Sequence, residues 1–270
     1  MDIEYKRNRV QEYLERTIDP SYSPTDDKTI LKAFTLKAER YYLSSVDCAN
    51  LYPLIKADAY DYTYSAAVSF FNALEDIYWQ NYSWATVELY YVIYYLFRAK
   101  LHLGNIALFR ARQLYYLQIS PGESIKHSSD IKNNTHEGTI SVFTKFFPSD
   151  FILTNTVDNI NSVEWIKSNR EIVNYRSVDF KDPTHFSYFD KFRTLILLKR
   201  NMKLIIDDPS TFAFQPEFAM VGLPLVLFNE IINDYSLDLK SIFGGRKLLY
   251  IQSKISRLDI GFINSYLTLK

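Results

Sequence analysis

One stretch of this 270-residue chain, Tyr82–Leu103, constrains the fold more than any other. It is long enough for about six helical turns. As a helix it would carry large apolar side chains over more than half of its circumference, namely those of Trp84, Val87, Tyr91, Tyr94, Tyr95, Leu96 and Leu101. A helix that is apolar nearly all round usually lies in the centre of a helical core. We therefore expect a mainly α-helical bundle organised around Tyr82–Leu103.

One narrow row of this predicted helix is polar. Its members recur at three- and four-residue spacing and therefore share a face: Glu88, Tyr91, Tyr95, Arg98 and His102. A carboxylate, a guanidinium and an imidazole in line on a core helix form either an internal polar network or part of a site. Arg98 and His102 are accordingly candidates for contacting a nucleic acid or a protein partner.

The composition excludes several classes of protein. The chain has 22 Tyr and 19 Phe but only 7 Gly, which argues against a loop-rich β-sandwich or a nucleotide-binding α/β fold, since both use Gly in tight turns. The formal net charge is zero, so a uniformly basic nucleic-acid binder is not expected. The single cysteine, Cys48, excludes an internal disulfide and a Cys-based zinc site, and its surroundings predict a small buried residue.

The sequence predicts a soluble cytoplasmic protein without cofactor or metal. The first ten residues are charged and no apolar run follows them, so we expect no signal peptide. The most apolar window, 219–228, is too short to cross a bilayer. The four histidines do not have the spacing of a zinc site.

Helical periodicity and breaking residues predict the remaining elements. Pro24-Thr25 is expected to cap a helix that begins at Asp26, and Pro53 is expected to open the next one. The predicted helices span residues 9–18, 26–50, 54–80, 82–103, 136–147, 158–178, 187–206 and 217–235, with a last helix from Gly244-Gly245 to the C-terminus.

Two short apolar runs, IALFRA and LYYLQI, predict a small β-hairpin at about 106–119, with a continued helix as the alternative. No internal repeat or flexible linker divides the chain. We therefore expect a single α-helical domain over 1–270, in which 54–180 forms the core and 187–270 forms a helical C-terminal extension.

The densest polar cluster lies in the predicted helix 158–178. Arg170 and Asn174 are four residues apart, and Tyr175 and Arg176 follow. Two guanidiniums with an amide and a phenol could grip a phosphate, because Arg presents a planar fork of donors. The alternative is that Arg170 and Arg176 pair with nearby carboxylates such as that of Glu171.

A second group of basic residues surrounds the predicted hairpin. Arg110 and Arg112 lie on it, and Lys126 and His127 follow in the next loop. Basic side chains beside aromatic ones can contact nucleic acid or an acidic partner. An ordinary solvated surface is the alternative.

Three pieces of the chain, in this order, resemble the HEPN-like helical superfamily. The central helix carries YYVIYYLFRAKLHLG, residues 135–138 lead THEG into the helix ISVFTKFF, and a later helix carries NREIVNYRSVDF. The segment GLPLVLFNEIINDYSLDL is similar to the YaaC-like branch. The resemblance covers about residues 82–180 and extends less closely to 240.

The resemblance implies a choice between two functions. Many members are metal-independent ribonucleases, in which an Arg is followed after four to six residues by a His; the His acts as general acid and base and the Arg stabilises the charged phosphorane. Here Arg170 is followed by Tyr175 at that place, and the next histidine, His185, lies outside the spacing. A phenol is a poor base at neutral pH.

The resemblance with a missing histidine therefore implies a non-catalytic interaction subunit. Such a subunit would assemble with itself or with a larger partner in a bacterial antiphage or nucleic-acid-handling complex. The alternative is a ribonuclease in which Arg170 and Arg176 bind the scissile phosphate and Tyr175 or His136 transfers the proton.

Overall fold

The computed structural model describes residues 8–23, 27–110, 113–127 and 135–270. These residues form a mainly α-helical protein with thirteen α-helices and two small two-stranded antiparallel sheets. The predicted fold class is confirmed. The chain forms two compact units, Met1–Tyr62 with Phe97–Phe146, and Thr63–Leu96 with Phe147–Lys270. The expectation of a single domain with a 54–180 core stays a prediction.

In the first half of the chain, the described residues form five helices and a hairpin. They are α1 (Arg9–Ile18), α2 (Lys28–Glu39), α3 (Ser45–Tyr78), α4 (Tyr82–Leu103), β1 (Ile106–Arg110), β2 (Leu114–Gln118) and α5 (Thr135–Phe146). Helices α3 and α4 contribute residues to both units. The predicted bounds of α1 and α4 match the structure, and the predicted hairpin at 106–119 is confirmed.

The β1–β2 hairpin lies inside the core of the first unit. The strands pair antiparallel, with Leu108 opposite Tyr116, and the first four residues of each strand are buried. Side chains on both faces are enclosed, which explains why the sequence shows continuous apolar runs rather than alternation. The core that they join comes from α1, α2 and the first part of α3, and it includes Cys48, as predicted.

The predicted boundary between the helices 26–50 and 54–80 is wrong. Helix α2 ends at Glu39, and α3 begins at Ser45 and continues through Pro53. A reciprocal cap starts α3: the Ser44 hydroxyl accepts from the Asp47 N–H at 3.1 Å, and the Asp47 carboxylate accepts from the Ser44 N–H at 2.8 Å. Pro53 is tolerated because it lies on the exposed face, where water can bond the carbonyl that loses its partner.

Helix α2 is capped by a different residue from the expected one. The Asp27 carboxylate accepts from the N–H groups of Thr29 and Ile30. The predicted cap at Pro24-Thr25 lies outside the described residues.

The described residues of the second half of the chain form eight helices and a short hairpin. Its elements are α6 (Phe151–Thr154), β3 (Thr156–Val157), β4 (Ile160–Asn161), α7 (Ser162–Glu171), α8 (Leu195–Asp207), α9 (Pro209–Phe212), α10 (Pro216–Asp234), α11 (Leu239–Phe243), α12 (Gly245–Arg257) and α13 (Ile263–Tyr266). The predicted helix 217–235 corresponds to α10. The last predicted helix ends early, at Arg257, and α13 follows separately.

The predicted helix 158–178 is wrong at both ends. Asp158 and Asn159 have φ values of 53° and 62°, the left-handed conformation of a two-residue hairpin turn, and Asn161 caps α7 instead. At the other end α7 passes into a π-helical turn, Ile172–Arg176. The predicted helix 187–206 likewise contains a 3₁₀ turn, Ser187–Phe189, before α8 begins after its cap, Thr194.

Helix α10 forms the centre of the second unit. Twelve of its nineteen residues are buried, and a Cβ added at Gly222 would lie 3.0 Å from the Ala213 Cα atom. A larger residue at this position would push the chain segment after α9 away from α10 by a few tenths of an ångström. None of the helices in the described ranges is both long enough and apolar enough to cross a membrane.

A stacked pair of phenylalanines joins α4 to α5 in the first unit. The rings of Phe97 and Phe143 lie 3.8 Å apart between centroids and are nearly parallel, and both side chains are fully buried. We expect Phe143→Ala to lower the free energy of unfolding by about 3–5 kcal/mol, because it leaves a cavity against Phe97. Urea unfolding followed by far-UV circular dichroism measures the change.

The matched control is Val46→Ala, on the exposed face of α3 in the same unit. A surface truncation should change stability by less than about 0.5 kcal/mol. Equal effects of the two substitutions would contradict the packing of α5 on α4.

Candidate functional site

The polar row of α4 begins with a carboxyl pair. Glu88 shares a hydrogen bond with Asp76 of α3 and another with Asn72. Burial, strengthened by the Asp76 carboxylate, raises the pKa of Glu88 to about 8, and burial also raises the pKa of Asp76. At neutral pH the Glu88 carboxyl group is therefore mostly protonated and donates to Asp76.

A charged pair adjoins the two carboxyl groups. Lys254 of α12 is 5% exposed, and its ammonium lies 2.5 Å from Glu75, the neighbour of Asp76 on α3. Arg257 contacts the other oxygen of Glu75 at 3.0 Å. Each buried charge therefore has an opposite charge or a proton to offset its desolvation.

The other end of the row, in the first unit, is enclosed by aromatic and backbone groups. The Arg98 guanidinium stacks 4.6 Å from the Tyr62 ring centre. His102 is completely buried, lies against the same ring, and bonds the Arg98 carbonyl through Nδ1 at 2.8 Å. Burial and the positive charge of Arg98 lower the pKa of His102 to about 3.

The His102 imidazole is consequently neutral and is a donor at Nδ1. Its other nitrogen faces the Asn8 side chain at 3.5 Å. A fully enclosed imidazole with both nitrogens directed at protein groups has the geometry of a structural residue. The Arg98–His102 end of the row thus lies inside the protein, and a nucleic-acid- or partner-binding role for these two residues stays a prediction.

Arg170 lies between two tyrosine rings in the second unit. Its guanidinium is 5.2 Å from the Tyr90 ring centre and 4.9 Å from that of Tyr175. The π-helical turn explains the second contact, because residues five apart share a side of such a turn. Within the described part of the chain Arg170 forms no ion pair, and its buried Nε has no hydrogen-bond partner. The structure therefore does bring Arg170 and Tyr175 together.

The other candidate residues, Arg176, Asn174 and His136, do not join the contact between Arg170 and Tyr175 in the described contacts. Arg176 is largely exposed and lies 3.6 Å from the Glu171 carboxylate, the pairing that the sequence offered as an alternative. Asn174 is half-buried in the π-helical turn. His136 is the second residue of α5 and belongs to the first unit, whereas Arg170 and Tyr175 belong to the second.

The basic residues of the hairpin region already have protein partners. Arg110 exchanges hydrogen bonds with the Gln11 side chain through its backbone and reaches the Thr135 hydroxyl at 2.5 Å. Lys126 pairs with Glu123, which raises the pKa of Lys126. Arg112 lies outside the described residues. A nucleic-acid-binding role for these residues stays a prediction.

The second unit also carries an exposed apolar surface that the sequence did not indicate. Four large apolar residues within nine positions are exposed, by 43 to 104%, and Trp84 of α4 is 52% exposed. The Trp84 and Phe180 rings touch edge to face, 5.8 Å apart. We call this set the Trp84 surface; its members are Trp84, Ile172, Tyr175, Val178 and Phe180.

The expected burial of Trp84 is wrong. Trp84 was expected to belong to the buried cover of the central helix, but half of its side chain reaches solvent. The sequence signal that was overlooked is the run after Glu171, where large apolar residues recur every two or three positions without the spacing of a buried α-helical face.

No metal site is formed in the described ranges, where no three His, Cys, Asp or Glu side chains are close enough to share an ion.

A comparison with protein-family models finds no match, and searches of curated proteins and of solved structures find no significant match.

The carboxyl pair makes stability depend on pH. The usual pKa of Glu88 is 4.5 and its folded value is about 8, so the folded chain keeps a proton that the unfolded chain releases, and stability falls as pH rises between these values. The substitution Glu88→Gln keeps a donor toward Asp76 but cannot titrate. We expect it to reduce the decrease in the free energy of unfolding between pH 5 and pH 8 by about 1–2 kcal/mol, a figure that allows for solvent screening.

Urea unfolding followed by tryptophan fluorescence measures this change, because Trp79, Trp84 and Trp165 all lie in the second unit. Glu164→Gln, at the surface of α7, is the matched control. A Glu88→Gln protein with the pH dependence of the wild type would show that the pair does not hold a proton.

Proposed function

We propose that this protein is a non-catalytic, HEPN-like interaction subunit that binds a protein partner through the Trp84 surface. The partner is either a second copy of the chain or a larger component of a bacterial complex. The resemblance of the central helix and the Arg-bearing helix to the HEPN-like superfamily suggests an antiphage or nucleic-acid-handling complex in the cytoplasm.

The observation that carries this proposal is the concentration of exposed apolar side chains between Ile172 and Phe180. Single exposed apolar residues are ordinary, but a concentration of them on a folded protein commonly marks an interaction site. Trp84 and Tyr175 add aromatic groups of the kind that dominate the energetics of protein interfaces. Val178 is fully exposed, so a partner that covers it gains its whole transfer free energy.

The local backbone also supports partner binding at the Trp84 surface. The π-helical turn directs Tyr175 outward against Arg170 while Val173 remains buried. Single π-turns inside helices are often found at functional sites. Arg170 stiffens the Tyr175 ring by stacking on it, and a side chain that is already ordered loses less entropy when a partner binds.

The chemistry of Tyr175 supports a non-catalytic role. The resemblance implies a histidine at this place, and a phenol is a poor proton acceptor at neutral pH. The Arg170 guanidinium already stacks on the Tyr90 and Tyr175 rings, and a substrate would compete with these contacts. Binding rather than catalysis is the activity that these residues favour.

The test is purification of the tagged full-length chain from its native cells. We expect a stoichiometric complex or a homo-oligomer, measured by size-exclusion chromatography with light scattering, and we expect Tyr175→Ser/Phe180→Ser to abolish it. Removing two exposed apolar anchors should weaken association by at least about tenfold per anchor.

The matched control is Ile196→Ser/Leu249→Ser, which removes comparable exposed apolar surface elsewhere in the second unit. This control should leave the complex intact. A wild-type monomer without a stoichiometric partner would contradict the proposal, and so would equal losses in the two double variants.

A metal-independent ribonuclease is the second candidate. It is favoured by one observation, the contact between Tyr175 and an Arg170 guanidinium that has no carboxylate partner among the described residues. In this function Arg170 and Arg176 would bind the scissile phosphate, and Tyr175 or His136 would transfer the proton.

Incubation of the purified protein with total RNA tests this candidate. Cleavage that is lost in Arg170→Ala but kept in Arg200→Ala, a surface arginine of α8, would support it. Tyr175→Phe keeps the ring on Arg170 and removes only the hydroxyl, so it isolates proton transfer by that residue. Cleavage that survives Arg170→Ala would exclude this site.

A further inference from the structure

A cleft of about 510 Å³ lies in the second unit, apart from the residues of the Trp84 surface. It is bounded by the β3–β4 turn, α7, the Ser187–Phe189 turn and the start of α10. Its lining residues are Asp158, Trp165, Asn169, Ser187, Tyr188, Asp190, Lys191, Pro216 and Glu217. The volume is within the range of pockets that hold small ligands or single side chains of a partner.

The floor of the cleft is aromatic. Trp165 and Tyr188 are 7% and 8% exposed, and their rings meet edge to face at 5.9 Å. The Tyr188 hydroxyl is committed to Thr86 at 3.1 Å, and burial raises the pKa of Tyr188. Tyr188 therefore offers the cleft a neutral ring, and it does so from a fixed position.

The rim of the cleft is predominantly anionic. Asp158 and Glu217 form no hydrogen bond or ion pair through their side chains with any residue that the structure describes, whereas Asp190 bonds His185 at 2.6 Å. One cation, Lys191, also lines the cleft and has no such partner either. The two carboxylates without a partner, Asp158 and Glu217, outnumber the one ammonium and leave a surplus of negative charge beside two aromatic rings.

We propose that this cleft binds an organic cation, a guanidinium or ammonium group carried on an apolar stem. The carboxylates of Asp158 and Glu217 would pair with the charge, and the Trp165 ring would stack on the cation or its stem. Neither carboxylate has to give up a partner in the protein, so ligand binding replaces only water. An anionic ligand is disfavoured because the carboxylates outnumber Lys191.

The two carboxylates can be removed without altering the fold. Asp158 has a positive φ of 53°, a conformation that Asn adopts as readily as Asp, so Asp158→Asn keeps the turn. Glu217→Gln keeps the length of a side chain in the first turn of α10. The double variant therefore changes charge and little else.

The experiment is a titration of the full-length protein followed by the indole N–H signals of its three tryptophans in ¹⁵N–¹H spectra. Trp79 and Trp84 are exposed and lie outside the cleft lining, so they serve as internal controls and can be assigned by their Phe variants. The probes are Nα-acetyl-L-arginine methylamide and spermidine. The citrulline analogue of the first probe has the same shape without the charge.

We expect a saturable shift of the Trp165 signal with a cationic probe and none with the citrulline analogue. Asp158→Asn/Glu217→Gln should raise the dissociation constant at least about tenfold, equivalent to 1.4 kcal/mol. The control double variant Glu164→Gln/Asp207→Asn, which removes the same charge elsewhere in the second unit, should leave the constant unchanged. Tighter saturation by the arginine derivative assigns the cleft to a polypeptide side chain, and tighter saturation by spermidine assigns it to a free polyamine.

Three results would overturn the inference. They are the absence of a saturable Trp165 shift with either cation at millimolar concentration, an equal shift with the citrulline analogue, and an unchanged dissociation constant in Asp158→Asn/Glu217→Gln. None of them depends on the Trp84 surface, so failure here and failure of the interaction-subunit proposal are distinguishable.

Discussion

The polar row of helix α4 carries a carboxyl, a guanidinium and an imidazole group into largely apolar surroundings, and each needs a local partner because an unpaired buried charge costs several kcal/mol. The structure meets this constraint in three ways. Glu88 keeps its proton and bonds Asp76, Arg98 stacks on Tyr62, and His102 stays neutral on the Arg98 carbonyl. Helix α3 supplies two of these partners, Tyr62 and Asp76.

Both proposals concern groups outside the α4 row. The ionisable groups of the α4 row lie against other groups of the protein, whereas the residues after α7 present a stacked Arg170, an exposed Tyr175 and the rest of the Trp84 surface. The two proposals rest on different physics. The Trp84 surface would bind through the burial of apolar area, and the cleft between α7 and α10 would bind through the pairing of charges beside aromatic rings.

Much of the fold could be predicted from the sequence, because the signals were local. The apolar circumference of α4 and the two short runs of the hairpin gave the correct elements. Pro53 led to a wrong helix start, because a proline is tolerated inside a helix when it is exposed and the sequence does not state exposure. The true start of α3 is set by the cap of Ser44 and Asp47, which was overlooked. The turn at Asp158-Asn159 was hidden inside a helical pattern.

The candidate site was less predictable, since it depends on contacts between distant residues. Arg170 and Tyr175 were identified, but their stacking requires a π-helical turn and Tyr90 from α4. The most direct test of the central claim, that the α4 row is internal, is an NMR titration of the His102 imidazole, assigned with His102→Gln. The account predicts a neutral ring protonated at Nδ1 from pH 7 down to about pH 4, since its pKa is about 3. A titration midpoint near the usual 6.5 would contradict it.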